Sequence, residues 1–407
     1  MSLDVYTVLN DFPALGQLVH GHYPLVYLDN AATTLKPRQV VEAMTQYYRV
    51  DTGNIHRGVH QLSQHATEKY ENTRGTVQRF IRAGSSDNIV FTSGTTAAIN
   101  MVAQGYVRKS LTPGDEILIT HMEHHSNIVP WQMLCEQTGA VLKVVPVDDH
   151  GAVQLEAYDA LLTKRTRIVS LAYVSNALGT VNPIDGMIAM AHDRGIPVLV
   201  DAAQAIPTLP VDVDELDCDF LAFSGHKLYG PTGVGVLYGK TEALERMDPV
   251  FGGGDMILSV TFEKTLYNRI PARFEAGTPP IAEVIGLGAA IDYITDIGME
   301  HVANHARFLT RYAQDALEDI SGVRIIGTSQ DKTAIVSFVM EDAHAHDIGT
   351  IMDSLGVAIR AGHHCAQPIM QRFGIAATAR ASFGLYYTEA DVDHLIAAVH
   401  KVKEVFV

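Results

Sequence analysis

The sequence predicts an α/β protein: a large domain built on a mostly parallel mixed sheet flanked by helices, joined to a smaller α+β domain. Three observations carry this. Short β-branched runs alternate with helical stretches, as a series of strand–helix–strand units requires. The runs are apolar at consecutive positions, as strands covered on both faces are. After the GTPP segment at Gly277 the pattern changes to a long helical stretch followed by a few strands.

The first region gives strands at NIVFTS from Asn88, DEILIT from Asp115, VLKVVPV from Val141, RIVSLAYVSN from Arg167, IPVLVDAAQ from Ile196 and DFLAFSG from Asp219. Polar residues collect where these runs end, at Thr95, Asn176, Asp201, Gln204, Ser224 and Lys227. In an open α/β sheet ligands bind beyond the carboxyl ends of the strands, so the chemistry is expected there. The second region reads as one helical stretch from Ile281 to about Ile320, then strands near Val323 and Ala334 and further helices. No low-complexity linker separates the two, so they are expected to pack tightly.

The chain of 407 residues holds 47% hydrophobic and 19% charged residues, the range of an ordinary folded protein. Its 30 Lys and Arg against 46 Asp and Glu leave a net charge of −16, which repels phosphate backbones and anionic lipid; no nucleic acid and no membrane is expected as partner. Apolar runs such as IPVLVDAAQAI from Ile196 fall well short of the ~20 residues that span a bilayer. No basic residue precedes Lys36, so neither a secretory leader nor an Arg-rich transit peptide is read. Cys135, Cys218 and Cys365 are too few and too far apart for a disulfide framework, which fits a reducing, cytoplasmic setting.

The segment SGHKLYGPTGVGVLYG, Ser224 to Gly239, places Lys227 directly after an apolar run. A lysine among buried groups must be neutralised, paired or covalently bound, and a Schiff base is the third of these. A surface lysine beside a turn is the plain alternative. Asp201 closes the run IPVLV, so a carboxylate at the mouth of a buried strand needs a cationic partner. The protonated ring nitrogen of pyridoxal phosphate is one, and an Asp is its expected counter-ion; a helix-capping Asp is the alternative. In TSGTTAAIN a strand turns through Gly94 into a helix with Thr95 and Thr96 in its first turn, where hydroxyls and free N–H groups suit a phosphate. Two nucleotide motifs fail on spacing: GKT at Gly239 has Val234 where a P-loop needs its first glycine, and GPTGVG from Gly230 leads into a strand rather than a helix.

YLDNAATTLKP, NIHRGVH, MEHHSNIVPWQ, VSNALGT, VDAAQA, DFLAFSGHKLYGPTGVG, RFEAGTP, RAGHHCAQP and RASFGLYYT follow one another from Tyr27 to Thr388. In these strings, across nearly the whole chain, the sequence resembles the class V aminotransferase family of fold-type I pyridoxal-phosphate enzymes, and within it the SufS-type (group II) cysteine desulfurases and the related selenocysteine lyases. The resemblance implies a large cofactor-binding domain over 29–296 and a small domain of 1–28 with 297–407. It implies that Lys227 is the Schiff-base lysine, Asp201 the pyridinium partner, Gln204 a donor to the ring oxygen and His124 the group over the ring face. Thr95, Thr96, Ser224 and His226 would hold the phosphate, with Thr278 reaching it from the second subunit of a homodimer. Asn176 and Arg380 match positions that meet the substrate carboxylate, while Arg360, His56 and His364 belong to the same pocket.

Cys365 decides the reaction type. Arg360, His363 and His364 surround it in sequence, and positive neighbours favour the thiolate. Cys135 and Cys218 read as small apolar fillers. Zinc at HHC or at the HMEHH of His121 is discounted, because adjacent residues seldom face one ion. The expected activity is conversion of L-cysteine to L-alanine with a persulfide on Cys365, passed to an acceptor protein of the SufE or SufU kind for iron–sulfur cluster assembly. The alternatives are a selenocysteine lyase, a class V transaminase or epimerase, and a non-enzymatic sulfur-transfer scaffold with a degenerate pocket. The chain departs from the resembled pattern at Ser93, Ala97 and Ala272, near the expected subunit interface and the pocket cover.

Overall fold

The computed structural model describes residues 4–406; the predicted small domain begins with three residues that lie outside the described ones. A seven-stranded sheet forms the centre of the molecule. In chain order its strands are β2 (Ile89–Thr92), β3 (Glu116–Thr120), β4 (Val141–Val145), β5 (Thr166–Ala172), β6 (Val198–Asp201), β7 (Phe220–Ser224) and β8 (Gly235–Gly239). They lie side by side as β2-β8-β7-β6-β5-β3-β4. β3 to β7 pair in parallel, and β8 runs antiparallel to both of its neighbours.

Parallel neighbours need crossovers, and the chain supplies them as α3 (Val129–Thr138), α4 (Leu155–Leu161) and α5 (Ile184–His192); α2 (Thr95–Met101) follows β2 directly. Successive side chains of β7 alternate between two cores: Phe220 and Ala222 face one, Leu221 and Phe223 the other. This is why the strand reads as a continuous apolar run.

The predicted helix from Ile281 to Ile320 is two helices, α6 (Ile281–Ile297) and α7 (Met299–Glu318). They part at Gly298, whose φ of +93° only glycine adopts without strain. α6 packs on α1 (Gln61–Phe80) in the large domain, while α7 packs on the strands of the small one. The small sheet has the order β11-β12-β15-β14, all antiparallel, from β11 (Val323–Ile326), β12 (Ile335–Met340), β14 (Arg360–Gly362) and β15 (Thr378–Ser382). α8 (Ala345–Asp353), α9 (Gln367–Arg372) and α10 (Glu389–Phe406) complete it, and a hairpin of β9 (Ile257–Val260) and β10 (Thr265–Tyr267) projects from the large domain. Near the N-terminus, β1 (Val26–Tyr27) pairs in parallel with β13 (Val357–Ala358). One contiguous apolar core runs from Val169 and Val200 in the large domain to Val336, Phe338 and Leu395 in the small one.

Of the two cysteines read as core fillers, Cys218 is buried, whereas Cys135 is partly exposed at the margin of the second core. No helix among the described residues is long and apolar enough to cross a membrane.

Candidate active site

β6 and β7 are parallel neighbours, so their carboxyl ends open on the same edge of the sheet. β6 delivers Asp201 there, and β7 delivers Ser224 followed by a single turn to Lys227. Both line one cavity of about 390 Å³. Asp201 is 6% exposed; burial pushes its carboxyl pKa up, against a 2.9 Å hydrogen bond from Ala203 N and the charge of Lys227. Lys227 fronts the open cavity, yet the protein around its amine lowers its pKa to about 8, with Asp201 partly offsetting that burial. Roughly a tenth of a group titrating near 8 is a free base at pH 7, several hundred times more than for an ordinary lysine.

One end of the cavity is formed where β2 turns into α2 against β7 and β8. Ser224 Oγ accepts from Thr95 N at 2.8 Å and lies 2.8 Å from Thr95 Oγ1. The turn lies so close to β8 that a Cβ on Gly235 would stand 2.5 Å from Gly94 Cα and 2.6 Å from Phe223 O. Thr96 and His226 line the same end. Burial lowers the His226 ring to about 4, and the charges of Lys227 and Lys36 add to that.

His124 enters from the turn after β3. Its Nδ1 accepts from Ser126 N at 3.0 Å, which leaves the ring proton on Nε2 in the neutral form. Burial, then the Lys227 charge, lowers its pKa to about 3, so the ring is neutral at physiological pH. Beneath it Glu123 is completely buried and ties three elements together: Thr120 Oγ1 at 2.6 Å, Ala172 N at 3.0 Å and Asn127 Nδ2 at 2.6 Å. Burial raises the Glu123 carboxyl to about 7.

The opposite wall comes from the small domain. Arg380 on β15 is 2% exposed; it donates to Asn176 O at 2.8 Å and approaches Asp29 at 3.3 Å, while its buried Nε has no partner. Burial lowers its guanidinium to about 10, still cationic at neutral pH. Arg360 forks onto the same Asp29, with contacts of 2.8 to 3.1 Å. A guanidinium fork has the geometry that suits a carboxylate.

Cys365 sits on a four-residue connection, 363–366, between β14 and α9, and is exposed. His364 and Cys365 both have φ of +53°, a left-handed conformation that side-chain-bearing residues rarely adopt in succession. The conformation is held from outside. Asn176 Nδ2 donates to His364 O at 2.6 Å, His125 N to Cys365 O at 2.7 Å, and Gln367 N to the His125 ring at 3.2 Å. His364 itself is buried, with Nε2 2.8 Å from Thr378 Oγ1 and Nδ1 unpartnered. Burial, then the Arg380 charge, lowers its ring to about 3.

One cavity therefore gathers Lys227, Asp201, Gln204, Thr95, Thr96, Ser224, His226, His124, Asn176, Arg360, His364, Cys365 and Arg380. Gln204 Nε2 donates to Ala31 O at 2.7 Å. His56, expected in this pocket, lies elsewhere in the chain's own fold, as does Thr278, which is expected to reach the cavity from a second subunit. His56 is exposed, 3.1 Å from Glu71 Oε1, and lines a separate cavity of about 320 Å³ with Arg74 and Asp255. Thr278 is exposed between Gly277 and Pro279, which line that second cavity. Sequence reasoning overlooked Asp29 and Glu123, though each stands inside a quoted string, YLDNAATTLKP and MEHHSNIVPWQ. Among the described residues no group of three or more His, Cys, Asp or Glu side chains is arranged to hold a metal ion.

A probable cysteine desulfurase of Halalkalibacterium halodurans is 48% identical to the chain, with 99% of each covered. One from Mycolicibacterium paratuberculosis is 49% identical over 98% of the chain, which spans only 58% of that relative's length. Among solved structures, the cysteine desulfurase CsdA of Escherichia coli superposes with a TM-score of 0.93 at 42% identity, both chains fully covered. The apo cysteine desulfurase of Thermococcus onnurineus NA1 gives 0.94 at 38% identity, 99% of each covered. The aminotransferase class-V profile matches residues 26–395, and with these relatives it shows that the chain belongs to that family.

Proposed function

We propose that this protein is a pyridoxal-phosphate-dependent cysteine desulfurase. One observation carries the reading: Lys227 and Asp201 face a common cavity whose opposite wall presents an exposed thiol, Cys365, beside the guanidinium of Arg380. The residues suit the cofactor. A basic amine, a buried carboxylate and a cluster of hydroxyls stand at separate points around a space bounded by His124, and the unpartnered Arg380 Nε is left for the substrate carboxylate. When bound, pyridoxal phosphate supplies a sink for the electron pair left on Cα as its proton departs.

The chain's own groups do the rest. Arg380 orients L-cysteine by its carboxylate, and Lys227 Nζ, neutral in a useful fraction, takes the Cα proton. Cys365 Sγ, as thiolate, attacks the sulfur of the substrate. The new S–S bond forms as the Cβ–S bond breaks; the pair left on Cβ collects a proton and Cα regains the one that Lys227 took, so L-alanine departs and a persulfide remains on Cys365. His124 holds its proton on Nε2 and serves as a neutral donor at the cavity rather than as an imidazolium.

Incubation with the cofactor and L-cysteine tests this. L-alanine is expected without any amino acceptor, together with one added sulfur on the peptide carrying Cys365. Alanine formation that requires an amino acceptor would make the protein a transaminase instead. Cys365→Ala is expected to abolish sulfur release; full activity of that variant on selenocysteine would favour a selenocysteine lyase. The same proposal includes a homodimer, in which the exposed Thr278 and His56 act on the other copy's cavity, and a SufE- or SufU-like acceptor for the exposed sulfur. Light scattering of the purified protein checks the first of these.

A further inference from the structure

Around Thr95 and Ser224 the cavity presents hydroxyls, a main-chain N–H and one imidazole, and its two arginines, Arg360 and Arg380, come from the small domain opposite. That imidazole, His226, is held neutral by burial. Yet a dianion placed among neutral donors in a chain of net charge −16 needs a positive charge nearby. The structure supplies one immediately behind. The carbonyl oxygen of His226 receives Lys36 Nζ at 2.8 Å, Thr34 N at 3.1 Å, and the hydroxyls of Thr33 and Thr34 at 3.1 Å each.

Four donors thus converge on an oxygen with two lone pairs, and the one that carries charge is Lys36. Lys36 Nζ also reaches Thr34 O at 2.7 Å. Its closest acceptors are thus carbonyls, and among the described residues it belongs to no ion pair with a carboxylate. Burial lowers its amine to about 7. A lysine held this way, without a counter-ion, is the kind of group that an incoming anion would stabilise. Thr33, which shares the same carbonyl, already lines the cavity.

We propose that Lys36 is the counter-charge for the cofactor's phosphate, a positioning residue that acts through His226 from one layer behind the cavity wall. The proposal rests on the reading that this cavity holds pyridoxal phosphate. A structural prop for the Lys227 turn would serve any ring bound there, whereas a counter-charge serves only the phosphorylated one.

That difference is the test. Apo-protein is titrated with pyridoxal phosphate and, separately, with pyridoxal, which lacks the phosphate, and the visible band of the lysine-bound ring is followed for wild type, Lys36→Met and Lys36→Gln. The glutamine variant keeps a donor while removing the charge. A unit charge a few ångströms away in a medium of effective dielectric about 20 changes an equilibrium constant by roughly tenfold or more. Both variants are therefore expected to bind pyridoxal phosphate at least about tenfold more weakly, with pyridoxal affinity changed by less than about twofold. Inorganic phosphate alone is expected to raise the melting temperature of wild type more than that of either variant, a readout that stands if one variant folds poorly. Equal weakening toward both rings, or no weakening at all, would overturn the proposal. Failure of wild type to develop the band with either ring would instead overturn the reading of the cavity itself, and the two results are separable.

Discussion

Asn176 Nδ2 donates to the main-chain oxygen of His364 at 2.6 Å, so a side chain from the mouth of the central sheet grips the peptide next to Cys365. Both residues are buried, and the grip spans the junction of the two domains.

Asn176→Ala removes that donor and strands a buried carbonyl, which costs about 1–3 kcal/mol. The melting temperature is expected to fall by a few degrees. The larger effect is expected in single-turnover persulfide formation, slowed at least about tenfold, because the left-handed turn at His364 and Cys365 loses an outside restraint. An unchanged rate with a lowered melting temperature would show that the turn holds itself.

Capture of the cofactor aldehyde by apo-protein requires Lys227 as free base. Burial depresses this amine to about 8, so the reactive fraction grows about tenfold per pH unit below that value and levels off above it. Stopped-flow absorbance from pH 6 to 9 is expected to follow this curve, with no further rise toward the ordinary lysine range.

Asp29 carries two guanidinium groups, and among the described residues Arg380 pairs with no other carboxylate. Asp29→Asn leaves Arg380 as a buried, uncompensated cation, a change that costs about 3 kcal/mol or more. The apo-variant is expected to melt well below wild type. L-alanine, whose carboxylate replaces the lost charge, is expected to stabilise the variant more than it stabilises wild type; equal gains would remove Arg380 from carboxylate recognition.

Glu123 is a buried acid whose carboxyl is raised by burial to about 7, above the ordinary carboxylate range near 4.5. A raised acid favours the folded state while protonated, so its contribution is whole below about 4.5 and is lost as pH climbs through 7. The difference amounts to about 3 kcal/mol. Glu123→Gln keeps the shape and cannot ionise. Urea unfolding at pH 5 and pH 8 is expected to show a smaller loss at the higher pH for the variant than for wild type. Parallel losses would place the Glu123 proton elsewhere.

The strands of the central sheet were legible because double-sided burial writes a continuous apolar signal, as Phe220 to Ser224 illustrates. Lys227, Asp201 and Cys365 were legible because each is chemically anomalous where it stands. The break at Gly298 within the stretch from Ile281 to Ile320 was not legible, since one glycine in a helical run is weak punctuation until its positive φ is seen. Glu123 and Asp29 were missed for a different reason. Their partners are main-chain groups and arginines far along the chain, and no local pattern announces such a pairing. His56 stands apart from the cavity of its own chain, a separation that sequence spacing does not encode.

The pairing of β1 with β13 places Asp29 next to Arg360, 331 positions later. A nascent chain that has not yet extruded β14 and β15 holds the anionic anchor without either of its cations. Loop closure of that length is slow to establish, so the cavity wall that carries Arg360 and Arg380 is among the last parts of the molecule to mature during synthesis. Truncations at the C-terminus that spare every large-domain residue would still leave the cavity without that wall.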